Sequence, residues 1–239
     1  MVSMKSELTP TKPSTQAVLV PYLVLAALFT AALVVCNLLS NKFISIDLGF
    51  KTFVVSAGIL PYPLTFLMTD ILSEFYGKKK TDYVVYTGFV VLLFVLLVIY
   101  LAEIFPAIPD SPMGDVAFGE VFSNSTRIIF ASMVAYLVAQ LIDVRLFHFW
   151  KWVTKGKHLW VRNNGSTMIS QLIDTVLVIG IIFYDREQPS VIFQYILDGW
   201  LFKVIMAALD TPFMYAASWW FRSKFNLAEG EELAWASED

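Results

Sequence analysis

Two glutamine and aspartate pairs lie inside long apolar segments of the chain, each with the sequence Gln-Leu-Ile-Asp. Gln140 and Asp143 form the first pair, and Gln171 and Asp174 form the second. Residues three apart share one face of a helix, so each amide projects beside its carboxylate. A carboxylate accepts hydrogen bonds from adjacent donors, while an amide both donates and accepts. Because the two segments are antiparallel neighbours, we expect the pairs to meet across an inner cavity and bind a flat, donor-rich solute.

Aromatic side chains in the same segments could stack on such a solute. The candidates are Phe66, Tyr62, Tyr136 and Trp200. Guanine is one solute that fits, because N1–H and the 2-amino group are donors, O6 is an acceptor and the ring is flat. The hydrogen-bond chemistry does not select guanine over other donor-rich solutes, and core packing is the commoner role of aromatic residues.

Charged residues deep in apolar segments are a second sign of a site. Asp174, Lys203 and Asp210 lie well inside the two C-terminal apolar segments. An ionisable group at the centre of a membrane is costly and normally faces a partner, the bundle interior or water. Two interpretations stay open: the residues bind a solute, or Lys203 pairs with Asp174 or Asp210 and only fastens two helices together.

The segment 52–77 is long and apolar enough to cross a membrane, but Pro61 and Pro63 interrupt it. Proline lacks the backbone donor and disfavours an uninterrupted helix, so the sequence predicts a broken span. Transporters use such breaks to present backbone groups to a solute, although a packing kink without a ligand is equally compatible. Asp70 and Glu74 favour a site, since they share one helix face at the end of the segment.

Composition sets the class of protein. Of 239 residues, 57% are hydrophobic and 15% are charged, and the mean hydropathy is +0.66, which predicts an all-α integral membrane protein. The length suits a bundle of about six spans of roughly 20 residues each, with no room for an ATPase or catalytic domain. The single Cys36 excludes a disulfide framework, and we expect no metal, no cofactor and no nucleic-acid surface.

The predicted organisation is one six-helix transmembrane domain, residues 17–221, between two tails that look disordered. The tails are residues 1–16, which we expect to be cytoplasmic, and the acidic residues 222–239. The six predicted spans are residues 17–39, 52–77, 84–101, 127–149, 164–184 and 191–220, with a long acidic loop at 103–125.

Small residues mark faces on which helices can pack closely. Ala131, Ala135 and Ala139 form one such ridge in the fourth span, beside a polar stripe that runs from Ser132 through Tyr136 and Gln140 to Asp143. Ala27 and Ala31 form a second small-residue pair in the first span, for packing within the bundle or against a partner protein.

Basic residues predict the orientation. With the N-terminus in the cytoplasm, the inside segments carry Lys5, Lys12, Lys78, Lys79, Lys80, Lys151, Lys155, Lys157, Arg162, Arg222 and Lys224. The outside segments carry only Lys42, Lys51 and Arg186. This asymmetry predicts six spans with both termini cytoplasmic.

Three segments carry a specific pattern: SAGILPYPLTFLMTDILSEFYGKK at 56–79, ASMVAYLVAQLIDV at 131–144 and LWVRNNGSTMISQLIDTVLVIGIIF at 159–183. Over nearly the whole chain outside its tails, the sequence resembles the queuosine precursor transporter family, also called the vitamin uptake transporter family. The resemblance implies a six-span bacterial inner-membrane protein that takes up 7-cyano- and 7-aminomethyl-7-deazaguanine, the bases used to make queuosine in tRNA. It also implies a fold similar to the substrate-binding S components of energy-coupling-factor transporters.

By motif position, the resemblance implies a substrate-binding region contributed by several spans. Its residues are Thr69, Asp70, Glu74, Gln140, Asp143, Asn163, Asn164, Gln171, Asp174 and, in a less distinctive segment, Lys203; Phe66 and Tyr136 are the stacking candidates we add. We assign Arg162, Asp210, Pro61 and Pro63 structural or interfacial roles, although Arg162 lies within the family motif. The carboxylates could also pair with the aminomethyl cation of one ligand. Tyr62, between the two prolines, departs from the family pattern.

Three modes of action remain. In the first, which we prefer, the chain is a secondary transporter whose carboxylates relay a proton or bind a cation. In the second, the chain is a binding subunit that needs a separate ATPase module, docked at Ala27 and Ala31. A membrane enzyme is disfavoured, because the sequence has no Gly-x-Gly-Asp and no His-Glu-x-x-His motif. A homodimer, and another purine-like or vitamin-like solute, stay open.

Overall fold

The computed structural model describes residues 14–40, 42–122, 126–185 and 187–233. Its helices are α1 (Thr15–Leu38), α2 (Tyr62–Tyr76), α3 (Lys78–Ile104), α4 (Asp115–Phe122), α5 (Thr126–Val153), α6 (Leu159–Phe183) and α7 (Pro189–Phe225). An antiparallel hairpin joins β1 (Phe43–Asp47) to β2 (Thr52–Ser56), and a short 3₁₀ turn, Ala57–Ile59, leads into α2.

Five helices in these described ranges are long and apolar enough to cross a membrane. They are α1, α3, residues Ala131–Val153 of α5, α6 and α7. The helical membrane class predicted from composition is thereby confirmed. The second predicted span, residues 52–77, contains instead α2, which has 15 residues and is shorter than a membrane-crossing helix.

The segment 52–77 differs from the broken helix that we predicted. Residues Thr52–Ser56 form β2, because their threonine, phenylalanine and valine side chains favour a strand. Pro61 is the N-cap of α2 and Pro63 lies in its first turn, where a missing N–H group breaks no helical hydrogen bond. The two prolines therefore begin a short helix instead of interrupting a long one.

Helices α1 and α2 run antiparallel and define the two ends of the bundle. At the hairpin end, Gly58 lies so close to the Cys36 carbonyl oxygen that no side chain fits between them. At the opposite end, the Tyr76 hydroxyl donates to the Val18 carbonyl oxygen at 2.9 Å. This second end, which holds the α2–α3 junction, the α5–α6 connection and the C-terminus of α7, is called the basic end below.

Helix α5 lies at the centre of the packing and contacts α2, α3 and α6. Its ridge of Ala131, Ala135 and Ala139 is fully buried, which confirms the close packing predicted for these residues. Gly88 lets α3 approach, since a Cβ atom there would lie 2.7 Å from the Tyr136 hydroxyl oxygen. The small residues thus bring the polar stripe of α5 into the interior.

The two predicted tails and the predicted loop also differ in extent. Helix α1 begins at Thr15, and residues 1–13 lie outside the described ranges. The tail predicted at 222–239 begins inside α7, and its described part packs back onto the bundle, where Leu233 is buried and its N–H donates to the Phe75 carbonyl oxygen at 2.7 Å. The loop predicted at 103–125 contains α4, a helix of 8 residues.

Candidate functional site

A cavity of about 710 Å³ opens at the hairpin end of the bundle. It is lined by α1, the hairpin, the first residue of α2, and side chains of α5, α6 and α7. This volume lies in the range of about 300–1,000 Å³ that small-molecule sites occupy. Most lining side chains are apolar, so the few polar ones are the groups that can orient a solute.

An ion pair forms the main polar group of this cavity. The Lys203 ammonium lies 2.5 Å from Asp174 Oδ2. Tyr62 lies beside this pair on the cavity wall, and its ring centroid is 4.8 Å from Lys203 Nζ. An acceptor and a donor therefore stand side by side next to an aromatic ring, on the wall of the cavity.

A second polar group lies where α1 faces α5. Ser132 Oγ donates to Asn37 Oδ1 at 3.2 Å, and Asn37 Nδ2 donates to the Leu33 carbonyl oxygen at 2.9 Å. Tyr136 also lines the cavity, but its hydroxyl is engaged, since it donates to the Val85 carbonyl oxygen at 2.7 Å. Tyr136 thus offers its ring to a solute, while Asn37 and Ser132 offer polar atoms.

A small cavity of about 10 Å³ adjoins the large one and shares Lys203 with it. Phe66, Gln171 and Asp210 line it, as does Pro63. Gln171 Oε1 is buried and has no hydrogen-bond partner among the described residues. This unpaired amide oxygen is an acceptor available to a donor that enters the small cavity.

Asp70 and Asp143 lie farther inside and do not line either cavity. The Thr167 hydroxyl lies 3.5 Å from Asp70 Oδ2, and the Ser170 hydroxyl donates to Asp143 Oδ1 at 2.8 Å. Thr167 and Ser170 lie three residues apart on α6, so the two carboxyl groups lie side by side against one face of that helix. Helices α2, α5 and α6 thus meet around two buried acids.

The amide of the first Gln-Leu-Ile-Asp pair is engaged by α2. Thr69 Oγ1 donates to Gln140 Oε1 at 3.2 Å, and Gln140 Nε2 lies 3.4 Å from Thr65 Oγ1. Since Asp143 faces Ser170, this pair does not reach the cavity that Asp174 lines. Antiparallel packing places equal positions of the two helices at different depths, which is why the pairs do not meet as we predicted.

Other predicted residues link neighbouring helices. Asn164 Nδ2 donates to Thr211 Oγ1 at 2.8 Å, while Asn163 is buried with no partner for Oδ1 in the described part of the chain. Trp200 Nε1 donates to the Met168 carbonyl oxygen at 2.9 Å, and its side chain lines neither of these two cavities. These groups join α6 to α7.

Glu74 forms a charge cluster at the basic end. Its Oε1 lies 2.7 Å from Arg162 Nη2 and 3.2 Å from Arg222 Nη2. Lys151 Nζ donates to the Glu74 carbonyl oxygen at 2.9 Å and to Glu232 Oε1 at 2.9 Å. Four elements, α2, α5, α6 and α7, are tied together here with the C-terminal segment, on the far side of the bundle from the large cavity.

The predicted residues therefore lie at successive depths, here called levels, between the hairpin end and the basic end. Asp174, Lys203 and Tyr136 line the large cavity; Phe66, Pro63, Gln171 and Asp210 line the small one; Thr69, Asp70, Gln140, Asp143, Asn163 and Asn164 lie among the helices; Glu74 and Arg162 lie at the basic end; and Pro61 caps α2. Consecutive turns of α6 contribute to every level below the hairpin.

Sequence reasoning missed some residues that line the large cavity. Asn37 is not among the residues predicted for the site, although a polar residue within an apolar stretch is a signal. The hairpin, of which only the second strand lies within the span predicted at 52–77, brings Lys51 to Asp198 at the cavity mouth, where their side chains form an ion pair. No spacing rule joins residues so distant in sequence.

Comparison with known proteins gives a consistent family. Residues 56–217 match the family described as "Putative vitamin uptake transporter". A "Probable queuosine precursor transporter" of Bacillus subtilis is 30% identical over 164 residues, which cover 67% of this chain and 70% of the relative. A "Queuosine precursor transporter" of Escherichia coli is 24% identical over 180 residues, covering 74% of this chain and 78% of the relative.

A third relative is less completely covered. It is a "Probable queuosine precursor transporter" of Haemophilus influenzae, 29% identical over 133 residues, which cover 55% of this chain and 53% of the relative. No solved structure matches the chain at a significant level. The family match and the five membrane-length helices agree with each other. The chain is a multi-pass membrane protein and belongs to the vitamin uptake transporter family.

Proposed function

We propose that this protein takes up queuosine precursors, 7-cyano- and 7-aminomethyl-7-deazaguanine, across the inner membrane of a bacterium. The observation that carries the proposal is the large cavity with the Asp174–Lys203 pair on its wall, in a chain of this family. The names of the three relatives support the choice of solute. Transport of another purine-like or vitamin-like solute is the second candidate, favoured by the apolar character of most of the lining.

The edge of a deazaguanine base complements the ion pair. O6 is an acceptor beside the N1–H donor, and the 2-amino group is a further donor. Asp174 accepts from N1–H and the 2-amino group, Lys203 donates to O6, and the ring of Tyr62 packs against the base. The ring of Tyr136 and the amide of Asn37 bound the opposite wall. The polar edge of the base replaces the water around the Asp174–Lys203 pair, so the desolvation cost of covering this pair is low.

The residues below the cavity receive other roles. Gln171, Phe66 and Asp210 form the inner end of the site, where the unpaired Gln171 Oε1 accepts a hydrogen bond from the solute. Glu74 and Arg162 close the basic end and do not contact the solute while that end is closed. For Glu74 we propose this structural role in place of the substrate-binding role that the family resemblance implies.

The orientation follows from charge. Lysine and arginine residues gather at the basic end, and Trp152, Trp160 and Trp219 lie exposed there, as interfacial tryptophans do. We therefore place the basic end and both termini in the cytoplasm and the hairpin end outside. The hairpin and α2 together complete the sixth crossing, with the hairpin at the outer surface. A six-element bundle of this kind is the arrangement expected for S components.

Uptake could be powered in two ways. A secondary transporter is favoured by the buried carboxyl groups of α2, α5 and α6. An S-component-like subunit that works with a separate ATPase module is the alternative, because Ala27 and Ala31 lie on the exposed face of α1 and leave room for a partner helix. The same face would serve a homodimer.

The test of the proposed function uses tRNA modification as its measurement. A bacterial strain that can neither make nor import the precursor is given this protein and nanomolar 7-aminomethyl-7-deazaguanine, and queuosine in its tRNA is measured. We expect wild type and Asp115→Asn, an exposed matched control, to restore queuosine, and equally expressed Asp174→Asn not to. In a host that supplies the coupling proteins, no queuosine with correctly inserted wild type contradicts the choice of solute.

The two modes of energisation are separated in the same strain. Uptake that persists when all genes for coupling ATPases are deleted, and that stops on addition of an uncoupler, identifies a secondary transporter. Uptake that needs the coupling proteins, with those proteins co-purifying, identifies a binding subunit. Replacing both Ala27 and Ala31 with leucine should abolish the second mode only.

A further inference from the structure

Asp70 and Asp143 are buried carboxyl groups that solute recognition does not use. The Thr167 hydroxyl lies 3.5 Å from Asp70 Oδ2, the Ser170 hydroxyl donates to Asp143 Oδ1 at 2.8 Å, and Ser166 is a further hydroxyl neighbour of Asp143. Asp70 Oδ1 and Asp143 Oδ2 are buried without a hydrogen-bond donor from the described residues. Because Thr167 and Ser170 lie three residues apart on one face of α6, the two carboxyl groups lie side by side against that face and can share one proton.

Cations close to the pair are committed elsewhere. The helices packed around it carry further titratable residues, among them Tyr22 and Cys36 of α1, Tyr62, Glu74 and Tyr76 of α2, Lys78 and Asp82 of α3, Tyr136, His148 and Lys151 of α5, Arg162 and Asp174 of α6, and Lys203, Asp210 and Arg222 of α7, while Arg145 of α5 is exposed. Arg162, Arg222 and Lys151 bind Glu74, Lys203 binds Asp174, and Lys78 binds Asp82. Asp210 adds a further negative charge on the side of Asp70.

Two carboxylates in contact cannot both remain ionised in a buried site that has no cation. A shared proton removes their repulsion and gives both unpaired oxygen atoms a partner. We propose that Asp70 and Asp143 hold one proton between them and that this pair is the proton-binding site through which uptake is coupled to a proton gradient. The coupling half of this proposal rests on the proposed function, whereas the shared proton does not.

Helix α6 connects the proton to the solute. Thr167 and Ser170 contact the pair, and Gln171 and Asp174 line the cavities one turn farther along the same helix. A shift of α6 as the solute binds therefore moves the hydroxyl groups that fix the pair. One proton enters from the hairpin end through the small cavity, which Asp210 lines, and leaves at the basic end with the solute.

Infrared spectroscopy of the purified full-length protein in lipid tests the shared proton directly. At neutral pH and without solute, wild type should show the C=O stretching band of a buried neutral carboxyl, with slow exchange in D₂O. Asp70→Asn and Asp143→Asn should each shift this band, because the remaining buried acid then has an amide as its neighbour, and the double variant should abolish it. Asp115→Asn, at an exposed site, should leave the band unchanged.

Proteoliposomes test the coupling. With an inward proton gradient, wild type should accumulate 7-aminomethyl-7-deazaguanine at least tenfold over its external concentration. Asp143→Asn, if it elutes as a monodisperse protein and still binds the solute, should only equilibrate it. Accumulation by Asp143→Asn equal to that of wild type, or a sodium gradient replacing the proton gradient, overturns the coupling.

The two failures are distinguishable. Absence of the neutral carboxyl band in wild type, an unchanged band in both single aspartate variants, or its persistence in the double variant overturns the shared proton whatever the solute is. A band that behaves as expected in a protein that transports no deazaguanine supports the pair and contradicts the proposed solute. An asparagine variant that elutes as an aggregate is replaced with Ser170→Ala, which removes the hydroxyl group at 2.8 Å and should shift the band without abolishing it.

Discussion

The charge cluster at the basic end gives the sharpest stability prediction. Glu74 and Arg162 have side chains that are both 0% exposed, and they are joined at 2.7 Å. Glu74→Gln removes the negative charge but keeps the size of the side chain. Arg162 is then left buried without a counter-charge, its remaining acceptors being the carbonyl oxygens of Gly156 and Lys157.

The magnitude follows from the burial of both partners. Removing one partner of a buried ion pair costs about 3–5 kcal/mol, and we expect the lower part of this range, since the glutamine oxygen still accepts one hydrogen bond. For a chain of this size, about 2–4 °C of melting temperature corresponds to each kcal/mol, so the melting temperature should fall by roughly 6–12 °C.

The assay is thermal unfolding of the detergent-solubilised protein, with and without solute. Asp82→Asn is the matched control, because Asp82 pairs with Lys78 four residues away on a partly exposed surface. That pair contributes about 0.3–0.5 kcal/mol, and its loss should move the melting temperature by about 1–2 °C. The double variant Glu74→Gln with Arg162→Gln should lose less than the sum of the single losses, since no charge is left unpaired.

Two results would refute the reasoning. A melting temperature for Glu74→Gln within about 2 °C of wild type would show that the cluster does not carry the expected stability. Loss of solute binding by Glu74→Gln at an unchanged melting temperature would place Glu74 in the binding site, as the family motif implied.

Three further predictions test the cavity and the packing around it. Asp174→Asn should weaken binding of 7-aminomethyl-7-deazaguanine about 10- to 100-fold in calorimetric titration, because charge-assisted hydrogen bonds to the solute are lost. It should lower the melting temperature less than Glu74→Gln does, because water in the cavity can solvate Lys203. Gly58→Ala should lower both the melting temperature and the affinity for the solute, because a Cβ atom there would overlap the Cys36 carbonyl oxygen. Gly180→Ala is the control, since a Cβ atom at residue 180 would have no neighbour within 4 Å. Equal losses in the two variants would contradict the close contact between Gly58 and Cys36. Leu233→Ala should lower the free energy of unfolding by about 2–5 kcal/mol, because Leu233 is buried. Leu209→Ala is the control and should be near neutral, since Leu209 is 58% exposed. Equal melting temperatures for the two variants would show that residue 233 does not pack in the core.

Much of the bundle could be predicted because membranes impose strong rules. Apolar runs of about 20 residues identify crossing helices, and small residues at spacing four identify close contacts. The buried ridge of Ala131, Ala135 and Ala139 confirms the second rule. The ion pair of Lys203 with Asp174 was one of the two pairings considered, since residues on one face of a span have few possible partners.

The hairpin could not be predicted with the same rules. Residues 43–56 include a strand pair whose hydrogen bonds depend on contact between two short segments, and hydropathy alone reads the second strand as the start of a span. Pro61 and Pro63 were correctly seen as incompatible with a helix interior, but a helix start satisfies them equally well. The two prolines therefore indicate a helix boundary, but they do not determine whether a helix ends or begins there.

The roles of the acidic residues depend on partners that spacing does not reveal. Asp174, Asp143 and Glu74 are all carboxyl groups on inner helix faces, yet each has a different neighbour: a lysine beside a cavity, a second acid, and two arginines. In the proposed mechanism the first acid exchanges its lysine for a solute, the second holds a proton, and the third keeps the basic end closed. Since the three environments follow one another along α2, α5 and α6, one helix shift in this mechanism moves both the solute at the first level and the proton at the second, and the third level opens last.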